Sequence, residues 1–108
     1  MALRDLRFHL LLALSDGPAH GYALGKDIEA RSNGRLDPTT GALYQALKGL
    51  LAEGLIVPVD SPSQPSPDAR RKYFALTQAG RSAVADEARW LDSLVRTARR
   101  KKLYPTSA

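Results

Sequence analysis

Thr39-Thr40-Gly41-Ala42-Leu43-Tyr44-Gln45-Ala46-Leu47-Lys48-Gly49-Leu50-Leu51 is the stretch whose reading settles the architecture. Leu43, Leu47, Leu50 and Leu51 fall at i, i+4, i+7 and i+8, the stripe of one α-helical face. Asp37 or Thr39 can cap the first free amides, and Pro38 is tolerated at a helix start. Gly54 is a natural terminator. With the leucines committed to a core, Thr40, Gly41, Tyr44, Gln45 and Lys48 project the other way.

Two more helices precede this one. Leu3, Leu6, Leu10 and Leu14 repeat at three- and four-residue steps, and Phe8, Leu11 and Leu12 add apolar surface on other sides. Such a helix needs cover on more than one face, part of which a second copy of the chain could supply. Asp16-Gly17-Pro18 stops it. A second helix is expected from Gly21 to Ser32, with Tyr22, Leu24 and Ile28 inward, ending at Asn33-Gly34.

After Gly54 the period changes. Leu55-Ile56-Val57 and Lys72-Tyr73-Phe74-Ala75-Leu76 are short β-prone runs. Pro58 to Arg71 between them holds four prolines, three serines and two aspartates, the composition of an exposed loop. Thr77 caps a last helix reaching about Arg99. Its positions Val84, Ala88, Leu91, Val95 and Ala98 alternate four- and three-residue steps, a coiled-coil seam of about two heptads. Trp90 and Leu94 widen that face. The order helix, helix, helix, strand, strand, helix is that of a winged helix-turn-helix, mainly α with a two-stranded β-wing, followed by a dimerisation helix. The expected division is 1–76 for the winged helix, 77–102 for the dimerisation helix and 103–108 for a tail.

The chain has 108 residues, 44% of them hydrophobic, which suits one modest domain. Sixteen Lys and Arg against eleven Asp and Glu give a net charge of +5 and a pI near 9.9. That balance favours a polyanionic partner, nucleic acid or an anionic surface. With no cysteine there is no disulfide, thiolate metal site or cysteine nucleophile. Phe8 to Leu14 is too short to span a bilayer. Asp5 and His9 spoil it as a secretory signal, so a cytoplasmic protein without membrane contact is expected.

The outward face of the third helix suits a DNA major groove. Its first amides and threonine hydroxyls, Thr39 among them, can bond phosphates. Gly41 permits close backbone approach, Gln45 can pair with an adenine edge, and Lys48 can meet phosphate or guanine. Such a face is also what any solvated amphipathic helix shows. Tyr44 tilts the reading towards contact, since an aromatic opposite the leucine stripe lacks a core role, although it could cover a neighbouring helix. Arg70, Arg71 and Lys72 are three cations where the loop enters a strand, as a phosphate-gripping wing needs. They could equally guard an exposed strand edge. Arg96, Arg99, Arg100, Lys101 and Lys102 suit a helix C-terminus through the helix dipole.

Gly41-Ala42-Leu43-Tyr44-Gln45-Ala46-Leu47 with Leu50-Leu51-Ala52-Glu53-Gly54-Leu55-Ile56 resembles the central motif of PadR-like transcriptional regulators. His20-Gly21-Tyr22-Ala23-Leu24 resembles their second-helix entry. Arg71-Lys72-Tyr73-Phe74-Ala75-Leu76-Thr77-Gln78-Ala79-Gly80 resembles their second wing strand and the cap after it. The likeness runs from about Leu3 to Leu94. It implies a homodimeric transcription factor, usually a repressor, on double-stranded DNA, with Tyr44 and its neighbours at the DNA. In some members a small, often aromatic molecule binds near the dimer interface and weakens DNA binding. Two departures stand out: Gln45 replaces a common proline, and the wing loop is longer and richer in proline.

The dimer surface expected from these patterns comprises Leu3, Leu6, Leu10, Val84, Ala88, Trp90, Leu91, Leu94 and Val95. Trp90 is either an aromatic anchor there or a stacking surface for a flat aromatic effector. Enzymatic function has little support. His9 and His20 are the only histidines, better suited to packing or capping than to paired catalysis. No phosphate-cradling glycine loop or metal-ligand spacing occurs, so neither cofactor nor metal is expected. A winged helix used only for protein contact is the other reading. It would keep the leucine stripes without needing Tyr44, Gln45, Lys48 and the wing cations together.

Overall fold

The first helix, α1 (Leu6–Leu14), is the centre around which the chain assembles. The computed structural model describes residues 6–35, 37–60 and 73–103. Leu10, Leu11, Ala13 and Leu14 of α1 are buried, spread over an arc of roughly 160° at about 100° per residue. The chain covers these sides itself: α1 packs against α2 (Gly21–Arg31), α3 (Thr40–Ala52), β3 (Tyr73–Leu76) and α4 (Gln78–Arg100). Leu10 and Val84 are therefore core residues with almost no surface left to offer a second copy. Leu6 is partly buried against the same core, and Leu3 lies outside the described residues.

In α2, Leu24 and Ile28 are buried, but Tyr22 is 65% exposed, not inward. At about 100° per residue, position 22 lies roughly 200° from position 24, on the far side of the helix. Asn33 and Gly34 follow with φ of 55° and 80°, the left-handed turn expected there. Thr39 caps α3, its side chain accepting from the Ala42 amide at 3.1 Å. Leu43, Leu47 and Leu50 are buried; each fully buried leucine contributes about 1.5–3 kcal/mol. Gly54, at φ 74°, turns the chain so that the Leu55 amide donates to the Leu50 carbonyl at 3.0 Å.

The sheet has three strands in the order β1-β3-β2, not the two of a bare wing. The added strand is β1 (Ala19–His20), antiparallel to β3 with Ala19 opposite Phe74 and His20 opposite Tyr73. Two residues carry no periodicity, so nothing in the sequence pattern announced it. The second strand, β2 (Ile56–Val59), runs through Pro58, which lies opposite Phe74. Proline is admissible because β2 is the sheet's edge. Ile56 and Phe74 close the core from the sheet side.

At the β3–α4 junction the Thr77 hydroxyl donates to the Gly54 carbonyl at 2.7 Å and accepts from the Gly80 amide at 3.0 Å. The Thr77 amide donates to the Leu55 carbonyl at 3.1 Å. One residue thus caps α4 and ties it to the end of α3. Gly80 is buried against the same turn, and a Cβ there would stand 2.0 Å from the Leu55 carbonyl oxygen. Val84 is the last buried residue of α4; from Ala85 to Arg100 none is.

Candidate nucleic-acid interface

The surface opposite the leucine stripe belongs to α3 and the start of α2. Thr40, Gly41, Tyr44, Gln45 and Lys48 are all exposed, as is the capping Thr39. At about 100° per residue, the five helical positions fall within an arc of roughly 140°. The helix carries no acidic residue, and Lys48 is its single charge. No described residue lies within 4 Å of where a Gly41 Cβ would be, so this glycine meets no packing demand among the described residues.

Tyr44 is 47% exposed and leans on α2. A Cβ built on Gly21 would sit 2.5 Å from its hydroxyl oxygen and 2.8 Å from Cζ. The ring therefore covers the first turn of a neighbouring helix while keeping about half its surface open.

The start of α2 is itself organised. The His20 side chain is the N-cap, its Nδ1 accepting from the Ala23 amide at 3.3 Å. Its ring stacks beside Tyr22 at 6.5 Å and meets the Tyr73 ring edge-on at 5.2 Å. The Lys26 ammonium stands 5.7 Å from the centre of the Tyr22 ring. Tyr22 and Lys26 were missed as candidate contacts. Their i, i+4 spacing off the Leu24–Ile28 stripe was the available signal.

Three carboxylates of the surrounding surface are held in ion pairs, while Asp37 stands exposed just before the Thr39 cap. Arg31 pairs with Asp27 at 3.0 Å and Asp16 at 3.1 Å, and Arg7 of α1 pairs with Glu53 past the end of α3. These pairs are largely exposed and contribute little to stability. The cations Arg70, Arg71 and Lys72 fall outside the described residues.

On α4 the seam expected from the heptads is only partly covered. Leu91 and Val95 are half-buried, and Ala88 is exposed. Trp90 and Leu94 are 48% and 39% exposed, so an apolar strip runs along the half of the helix that nothing else in the described chain buries. Among the described residues no group of His, Asp or Glu could hold a metal ion. No described helix is long and apolar enough to cross a membrane.

Comparison with known proteins agrees with this architecture. The chain is 35% identical over 92 residues to a transcriptional regulator of Mycobacterium tuberculosis, covering 84% of this chain and 79% of that protein. It is 37% identical over 116 residues to an uncharacterised 37.1 kDa protein of a Streptomyces fradiae transposon. There it covers 90% of this chain but spans only 31% of the relative. The fold superposes on the crystal structure of a PadR family transcription regulator from Clostridium difficile with a TM-score of 0.73. Identity there is 23%, with 88% of this chain and 95% of that one covered. The model of the PadR-like family of transcriptional regulators matches residues 10–86, most of the described fold, and the chain belongs to that family.

Proposed function

We propose that the chain is a sequence-specific DNA-binding repressor acting as a homodimer on an inverted-repeat operator. The observation that carries this reading is the outward face of α3. It is exposed, free of acid, open above Gly41, and bears an aromatic, an amide and a cation together. Thr39 and Thr40 would bond phosphates at the helix start, and Tyr44, Gln45 and Lys48 would meet base edges or backbone. Tyr22 and Lys26 stand on the helix that crosses the DNA backbone in this architecture. Arg70, Arg71 and Lys72 would grip phosphates from the wing.

Residues 1–76 act in this reading as the DNA-binding part, 77–102 as the dimerisation helix and 103–108 as a tail. The strip formed by Ala88, Trp90, Leu91, Leu94 and Val95 joins two copies, helped by the start of the chain around Leu3 and Leu6. A flat aromatic effector stacking on Trp90 between copies would release the DNA. The setting is the cytoplasm.

Selection of bound fragments from a pool of random duplex DNA tests the reading. The expected product is an inverted repeat with half-site centres about one helical turn, roughly 34–36 Å, apart. Recovery of no sequence preference would refute it and leave a protein-contact module.

A further inference from the structure

Glycine is an unexpected opening residue for α2. Its backbone there is ordinary helix, since the described glycines with positive φ are Gly17, Gly34 and Gly54. In a helix interior glycine costs roughly 0.5–1 kcal/mol relative to alanine, and even in the first turn propensity gives no reason to prefer it. Neither the turn nor the cap explains it, because the capping acceptor is His20 and its donor is Ala23.

What needs the glycine is Tyr44. The three atoms nearest a Cβ at position 21 all belong to that phenol: the hydroxyl oxygen at 2.5 Å, Cζ at 2.8 Å and Cε1 at 3.2 Å. The ring lies where a side chain would be. Tyr44 is held against α2 by contact with backbone, and that seat fixes how far the phenol stands above the outward face of α3.

We infer that Gly21 is a positioning residue for DNA recognition: by carrying no side chain it seats the Tyr44 ring at the height the α3 reading face requires. The inference rests on the reading of α3 as the DNA-contacting helix. It makes the spacing of recognition a property of two residues 23 positions apart, on different helices. A methyl group at position 21 would lift the phenol outward towards the DNA, leaving the leucine core unmoved.

The test uses the full chain and the duplex enriched from the random pool, with a scrambled duplex as control. Gly21→Ala should lower affinity for the enriched duplex about tenfold or more, with little change on the scrambled one. Tyr44→Phe should lower affinity in the native background and cost less in the Gly21→Ala background, because it removes the atom nearest the new Cβ and eases the contact while Cζ at 2.8 Å remains. In the Tyr44→Ala background, Gly21→Ala should change affinity hardly at all and raise the thermal midpoint. A role confined to folding would show no such coupling in binding.

Additive effects of Gly21→Ala and Tyr44→Phe would overturn the inference, as would Gly21→Ala binding like the native chain while Tyr44→Ala binds weakly. If Gly21→Ala does not fold, the Tyr44→Ala/Gly21→Ala double variant must; its failure to fold also overturns the inference. If Tyr44→Ala leaves recognition of the enriched duplex intact, the reading of α3 fails instead.

Discussion

Two helix starts, those of α2 and α4, are built alike and serve different ends. Each is capped by the side chain before it, His20 at α2 and Thr77 at α4. Each has a glycine in its first turn where a Cβ has no room. At Gly80 the obstacle is the Leu55 carbonyl, which already accepts the Thr77 amide. At Gly21 it is the far end of an exposed side chain. Backbone cannot retreat without dismantling the turn after α3, whereas a phenol can swing outward. The same residue type therefore guards the fold at one helix start and the geometry of a surface at the other.

Substitutions can break this comparison. Gly80→Ala should have the largest effect, a loss of about 3 kcal/mol or more by overpacking against backbone. Denaturant titration with an unchanged midpoint would show that the junction gives more easily than its geometry implies. Leu94→Asp comes next and acts at the other end of α4, on the unburied strip. It should turn dimers into monomers in sedimentation and cut operator affinity about a hundredfold, while the monomer keeps its helical content. Undiminished operator binding by a monomer would remove the strip from the account.

Thr77→Ala should cost about 1–2 kcal/mol, since it removes an N-cap and the bond to Gly54 together. His20→Ala should cost less, about 0.5–1 kcal/mol, because its capping bond is longer. Equal costs would mean that the two starts contribute alike to stability. The smallest stability effect belongs to Gly21→Ala, within about 1 kcal/mol of zero, helix propensity offsetting the displaced ring. A loss as large as that of Gly80→Ala would erase the distinction.

Much of this was legible in order along the chain. The Leu43–Leu47–Leu50 stripe oriented α3, and the caps Thr39 and Thr77 marked helix starts, because these signals lie within one or two turns. Three features were not local. β1 is two residues long, and its strand character comes only from pairing with residues more than fifty positions away. The reach of β2 through Pro58 follows from its place at the sheet edge. The burial of Leu10 by the chain's own helices depends on how α1 is surrounded, which periodicity cannot count. Tyr22 is different: its outward position followed from the phase of Leu24 and Ile28. At the candidate interface the exposed positions of α3 were readable from the stripe. The seat of Tyr44 on Gly21 was not, because it is a contact between helices.

Affinity of the native chain and of Tyr44→Ala, each on the enriched and on a scrambled duplex at one salt concentration, is the most direct test. If α3 reads sequence through this face, Tyr44→Ala should lose about tenfold or more on the enriched duplex and little on the scrambled one, with the thermal transition nearly unchanged. Equal affinities for native chain and variant on the enriched duplex would contradict the account.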